Sequence, residues 1–214
     1  MSPTRLPRPP RHDAASSHVL DPTILRDGDV LLTYGTGGLW PPRRWLLWLV
    51  YHAIRKFQKR RWAAGSASGG QAADTGPTHV RVWLHGRFFE ATTPVCKWTS
   101  FDTLVLDRKR WKLVRCRSPL ASSAMLQTAY RLINTPYDKG DLLDFALSGW
   151  LGRAANLISL FGDRANKFRV CSTAAAEVLR AGGAQFHLPV THIDPAYFAN
   201  VTDDWRVISM SNRR

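Results

Sequence analysis

The chain has 214 residues, 44% of them hydrophobic and 11% aromatic, which is enough apolar material for one packed core and too much for a wholly disordered chain. Thirty Lys and Arg against 16 Asp and Glu give a net charge of +14, which draws the surface toward phosphate, anionic lipid or acidic polymer. The three cysteines, Cys96, Cys116 and Cys171, are too few and too scattered for a disulfide framework or a metal-ligand pair, so free thiols in a reducing compartment are expected, with no metal and no cofactor.

Residues 1–20 are rich in Pro, Arg and Ser without a hydrophobic period and read as a disordered basic tail. No apolar run of signal-peptide length follows, so Sec-type export is not expected and the chain is assigned to the cytoplasm. Residues 45–51, Trp-Leu-Leu-Trp-Leu-Val-Tyr, form the longest apolar run, far short of the roughly 20 residues that cross a bilayer. A Gly28-Asp29 turn leads into a first strand over residues 29–34. A basic, Trp-rich helical insertion spans 39–62, its helical pattern running from 41 to 62, and a linker of small residues covers 63–77. Strand signals then crowd at 79–84, 87–92, 103–106 and 112–117, as in a meandering antiparallel sheet. Helical periods occupy 120–133 and 141–161 with a break at Pro136-Tyr137-Asp138. An Ala-rich helix over 172–181 stops at Gly182-Gly183, and 205–210 reads as a last strand. Residues 21–214 are expected to form one α+β domain.

Cys171 stands directly before the Ala-rich helix, where the helix dipole favours a thiolate. A thiolate nucleophile needs a base, and His79, opening a strand after a Gly-Pro-Thr turn, is the best placed of the histidines. A two-residue turn at His85-Gly86 pairs Leu84 with Arg87, sets His79 opposite Thr92 and brings Glu90 onto the face of His79. Diagonal neighbours at that spacing are within reach of a long side chain, so Glu90 is expected to orient the imidazole. A three-residue turn would put Glu90 on the other face.

Gly28-Asp29-Val30, Thr78-His79-Val80, Phe89-Glu90-Ala91, Pro136-Tyr137-Asp138 and Val170-Cys171-Ser172, in that order over residues 25–198, resemble the circularly permuted NlpC-type papain-like enzymes, particularly the YiiX-like amidase group. The resemblance implies a permuted papain-like fold, an antiparallel sheet packed against helices with the nucleophile at a helix N-terminus. It implies Cys171 as nucleophile, His79 as base and Glu90 as orienting residue. It further places Tyr137 near the site and the first-turn amides of Cys171 and Ser172 at the oxyanion. Thr191-His-Ile-Asp-Pro-Ala-Tyr-Phe resembles the family's closing turn and short helix. Two departures stand out: Thr173 where the family commonly has Glu, and Arg81 where a small residue commonly follows the His-Val pair. Both bear on substrate preference.

The activity implied is a cysteine hydrolase cleaving an amide, such as a peptidoglycan stem peptide, or an ester through a thioester intermediate. The alternatives are a lipid acyl hydrolase or acyltransferase on the same Cys-His site, by a more distant likeness to lecithin-retinol acyltransferase, and a non-catalytic basic protein that binds lipid or nucleic acid. The insertion mixes Trp45, Trp48, Tyr51 and Trp62 with Arg43, Arg44, Arg55, Lys56, Lys59, Arg60 and Arg61 and carries no acid. One reading is an interfacial helix contacting an anionic membrane through Trp45, Trp48, Arg55, Lys56, Lys59 and Arg60. The other is a helix that packs its Leu and Trp face on the sheet and leaves a solvated basic face. No base-reading module appears, so nucleic acid is not an expected partner.

Overall fold

A computed structural model of the chain describes residues 20–35, 52, 54–56, 58, 59, 62, 73–104, 110–137, 170–200 and 203–211. The expected tail over 1–19, the helix over 141–161, most of the linker, and Trp45, Trp48 and Arg60 lie outside the described residues. The architecture is α+β. Six strands, β1 (Val30–Tyr34), β2 (His79–Leu84), β3 (Arg87–Ala91), β4 (Cys96–Ser100), β5 (Arg110–Cys116) and β6 (Trp205–Met210), form one antiparallel sheet in the order β4-β3-β2-β1-β5-β6. Among the described residues it is accompanied by α1 (Ser122–Leu132), α2 (Cys171–Ala181) and the short α3 (Tyr197–Asn200), besides helical residues of the insertion.

The β2–β3 connection is the tight turn expected from the sequence. His85 and Gly86 have φ of 46° and 82°, the two positive values of a type I′ turn, and Leu84 pairs with Arg87. His85 accepts this backbone because its N–H is held by Asp27 Oδ1 at 2.8 Å. Alternation along the strands then sorts the side chains. Val80, Val82, Leu84, Phe89, Ala91 and Cys96 face α1 and α2 and form the main core with Met125, Ala174, Ala175 and Val178. The opposite face carries a smaller core of Leu20, Leu31, Trp83, Phe88, Trp111 and Leu113. Alanines along α2 let its backbone approach β2 and β3 closely.

Two expectations are corrected. Leu20, placed in the tail by the sequence, is 1% exposed within the second core and belongs to the folded unit. Of the strand expected at 103–106, Thr103 and Leu104 lie outside any strand and residues 105 and 106 fall outside the described residues. Thr103 lies in a turn, bonded through its hydroxyl to Ser100 O at 3.0 Å, and β4 is Cys96–Ser100 instead. Cys96 and Trp98 point toward the main core while Lys97 and Thr99 alternate away, a period-2 signal hidden behind Pro94 in a polar stretch.

Asp29 is fully buried where the turn enters β1. Its carboxylate accepts two bonds from Arg115, from Nε at 2.6 Å and from a terminal nitrogen at 2.7 Å, and one from the Arg26 N–H at 2.9 Å. The same guanidinium also donates to Ile24 O at 2.6 Å, so one forked pair ties the chain before β1 to β5. Removing one partner would strand the other charge in the interior. Asp29→Ala is expected to lower unfolding stability by about 3 kcal/mol or more, read by urea denaturation. The Asp29→Leu/Arg115→Met pair should recover a substantial part of that loss.

Candidate active site

The segment that delivers His79 is pinned on several sides. Thr78 N–H donates to Thr33 O at 2.9 Å, and its hydroxyl accepts from Gly35 N–H at 2.7 Å. Asp74 accepts from Tyr34 Oη at 2.5 Å and Lys112 Nζ at 2.6 Å, and its backbone exchanges bonds with the Asn200 amide at 2.6 and 3.1 Å. Burial works against the Asp74 charge, but the Lys112 and Tyr34 hydrogen bonds outweigh it and hold the carboxyl below its ordinary value. Gly76 is required here because a Cβ would come within 2.7 Å of the Tyr34 ring.

His79 Nε2 lies 2.7 Å from Glu90 Oε2, as the hairpin register implied. Thr99 Oγ1 donates to Glu90 Oε1 at 2.5 Å, and Arg81 Nε stands 2.7 Å from Glu90 Oε2. The Arg81 N–H is not aligned on that oxygen, so the contact is an ion pair rather than a formed hydrogen bond. Burial alone would raise the Glu90 pKa. The His79 bond, the Arg81 charge and the Thr99 hydroxyl together override it and keep the carboxylate well below its usual range. Glu90 is therefore an anion at any ordinary pH, as a residue that orients an imidazole and stabilises its charged form must be. Bonding through Nε2 assigns Nδ1 as the ring nitrogen that Glu90 does not engage.

Cys171 is the first residue of α2. Its N-cap, Val170, has no side-chain oxygen to cap the helix, while Thr173 Oγ1 accepts from Val170 N–H at 3.2 Å. The first-turn amides are thus left to the sulfur: the N–H groups of Cys171 and Ser172 face it, and so does that of Val80. The β2–β3 ladder explains the last of these. Its pairs run from Leu84↔Arg87 to Val82↔Phe89 and stop there, so His79 is not laddered opposite Thr92 and the Val80 N–H turns to the sulfur. The site joins Cys171 to the residue beside His79, and His79 to Glu90.

One expectation about Cys171 is overturned. The residue is 6% exposed, and burial pushes its thiol up to about 11, more than the three N–H groups and the Arg81 charge pull it down. The resting group near neutral pH is the thiol, and the helix dipole alone does not make it a thiolate. Ser172 is buried and contributes its amide. Tyr137 is half-buried against the main core, its N–H donating to Pro94 O at 2.8 Å on the β3–β4 connection.

The described residues of the insertion, His52, Ile54, Arg55, Lys56, Gln58, Lys59 and Trp62, are helical. Gln58 is fully buried and donates to Pro77 O at 3.1 Å, and Trp62 sits edge-on to Tyr197 with its indole N–H 3.4 Å from the Asp194 carboxylate. Trp62 therefore belongs to the face packed on the body rather than to a lipid-facing stripe. Arg55 turns to Gly35 O, Lys56 is half-buried and Lys59 is exposed. Among the described residues no helix is long and apolar enough to cross a membrane.

Sequence reasoning missed Thr99, Thr33 and the Asp74 network. Thr99 lies on the unanticipated strand β4, and Asp74 reaches its partners across 38 to 126 residues of chain. Comparison with models of known protein families and with curated proteins finds no match to the chain.

The lowered Glu90 pKa carries a pH dependence of stability. The folded state holds it below the unfolded value of about 4.3, so its contribution is complete above that value and is lost as pH falls through the lowered one. Glu90→Gln is expected to cost about 2 kcal/mol at pH 7. It should also flatten the decline in stability below pH 4.5, measured by urea unfolding across pH.

Proposed function

We propose that the chain is a permuted papain-like cysteine hydrolase that cleaves an amide or ester bond through a thioester on Cys171. The observation that carries this reading is the shared placement of the two halves of the site. The first-turn amides of α2 and the Val80 N–H surround the Cys171 sulfur, and His79, next to Val80, is fixed by the Glu90 carboxylate at 2.7 Å. The α+β arrangement of an antiparallel sheet with the cysteine at a helix N-terminus agrees with the resemblance in motif order. By that resemblance the amide substrates include peptides such as a peptidoglycan stem peptide.

In this reading the resting nucleophile is the neutral thiol. As a substrate carbonyl docks, the sulfhydryl proton moves to His79 while sulfur attacks, and Glu90 stabilises the imidazolium that forms. The N–H groups of Cys171 and Ser172, left uncapped by Val170, receive the developing oxyanion. His79 then gives its proton to the departing amine or alcohol. Water, deprotonated by the same imidazole, hydrolyses the thioester and restores the thiol.

The test is acylation by p-nitrophenyl esters and peptide p-nitroanilides, followed by mass spectrometry of the intact chain and its peptides. A covalent adduct on Cys171 is expected, absent in Cys171→Ala. Acylation should slow by about 10²-fold or more in His79→Ala and less in Glu90→Gln. Release that persists in Cys171→Ala, or alkylation of Cys171 that climbs with pH toward its raised value regardless of His79, would overturn the proposal.

A further inference from the structure

His79 and Arg81 are two residues apart on β2, so the pleat sends both side chains to one face of the sheet, where Glu90 meets them from β3. Both reach the same atom. His79 Nε2 and Arg81 Nε each stand 2.7 Å from Glu90 Oε2, while the other oxygen, Oε1, accepts from Thr99. Arg81 is held from β1 as well: its Nη1 donates to Thr33 Oγ1 at 3.3 Å, and Thr33 is the register partner of His79. The side chains of Arg81 and Glu90 are only 13% and 5% exposed, so solvent does little to screen these groups from one another.

The shared oxygen bears on which proton His79 can accept. A histidine bonded to a buried carboxylate of its own gains an ion pair on protonation and rests as the imidazolium. An imidazolium cannot take the Cys171 proton, and the Cys171 thiol, raised by burial, does not give that proton up in advance. Glu90 is not such a private partner. The Arg81 guanidinium is charged at every ordinary pH, so it already balances the carboxylate before the imidazole gains a proton. His79 then keeps the hydrogen bond that orients it, and most of the charge that would protonate it is spent on Arg81.

We propose that Arg81, by sharing the Glu90 oxygen with His79, is a positioning residue that keeps His79 an unprotonated base near neutral pH. Among the described residues, the charged or titratable groups around this cluster are Arg81 on β2, Glu90 on β3, Cys171 on α2 and Lys97 on β4. Lys97 is opposite Glu90 in the register but exposed, so its ammonium is screened and the buried Arg81 dominates. β1 contributes the neutral Thr33, and β4 the neutral Thr99. The role in catalysis rests on the Cys171–His79 reading above, whereas the protonation state of His79 is measurable without it.

The experiment is an NMR titration of the imidazoles in the full chain, with His79 assigned through His79→Gln, comparing the wild type, Arg81→Gln and Arg81→Lys. Wild-type His79 is expected to be neutral at about pH 7.5, roughly a unit above the ordinary imidazole midpoint. Arg81→Gln removes the charge and keeps a donor for Thr33, and the proton affinity of His79 should rise about tenfold or more. Arg81→Lys, which restores the charge, should reverse most of that rise. Any further contact of His79 is common to these proteins and cancels in the difference. The acidic limb of Cys171 acylation should move to higher pH in Arg81→Gln by the same amount. An imidazole still protonated at that pH in the wild type overturns the proposal, and this reading needs no variant to fold. Unchanged titration in Arg81→Gln, or equal titrations in Arg81→Gln and Arg81→Lys, overturns it too. A wild-type chain that never acylates removes the hydrolase reading and leaves the NMR titration to decide whether Arg81 holds His79 neutral.

Discussion

Positive φ at both His85 and Gly86 constrains everything that follows it in the sheet. A two-residue turn of this kind admits one register, and a slip by one residue would exchange the faces of every side chain on β3. With Leu84 set against Arg87, Phe89 and Ala91 face the helices and Glu90 faces the other way, onto His79 and Arg81. The same hairpin therefore supplies both the wall against which α2 packs and the polar cluster beside it. The Asp27 carboxylate that holds the His85 backbone couples this turn to the approach to β1.

At Cys171 two effects of opposite sign compete, and their sizes decide the resting state. Backbone amides and a nearby guanidinium favour the thiolate, and desolvation of the sulfur in a residue only 6% exposed disfavours it by more. A buried thiol of this kind is protected from adventitious oxidation and alkylation. In the proposed reaction it becomes a nucleophile only when a base takes its proton during attack, which places the chemical demand on His79 and on the anion that holds it. Glu90 remains an anion because three groups from two strands, His79 and Arg81 on β2 and Thr99 on β4, more than repay its burial.

The large positive charge is not spread evenly in function. Part of it is consumed inside the fold: Arg115 on Asp29, Lys112 on Asp74, Arg81 on Glu90 and Arg55 on the Gly35 carbonyl. Among the described residues, Arg26, Arg117 and Arg206 line a pocket with Arg115 at the β1–β5 end of the sheet. Among its described residues the insertion, basic as it is, commits Gln58 and Trp62 to packing on the body.

The sequence by itself determined most of the strands, both long helices that are described, the tight hairpin and the His79–Glu90 contact, because each depends on local period, turn chemistry or a register set by adjacent residues. It also located Cys171 at the start of its helix. Strand β4 escaped notice because its short alternation follows Pro94 and is stabilised by pairing with β3 rather than by its own propensity. The ionisation state of Cys171 was decided only by the tertiary structure, since the helix terminus is visible in sequence and the desolvation that overrides it is not. The same holds for Asp74 and for the shared pocket wall of Arg26, Arg117 and Arg206: charges far apart along the chain become neighbours only when the sheet closes the distance between them.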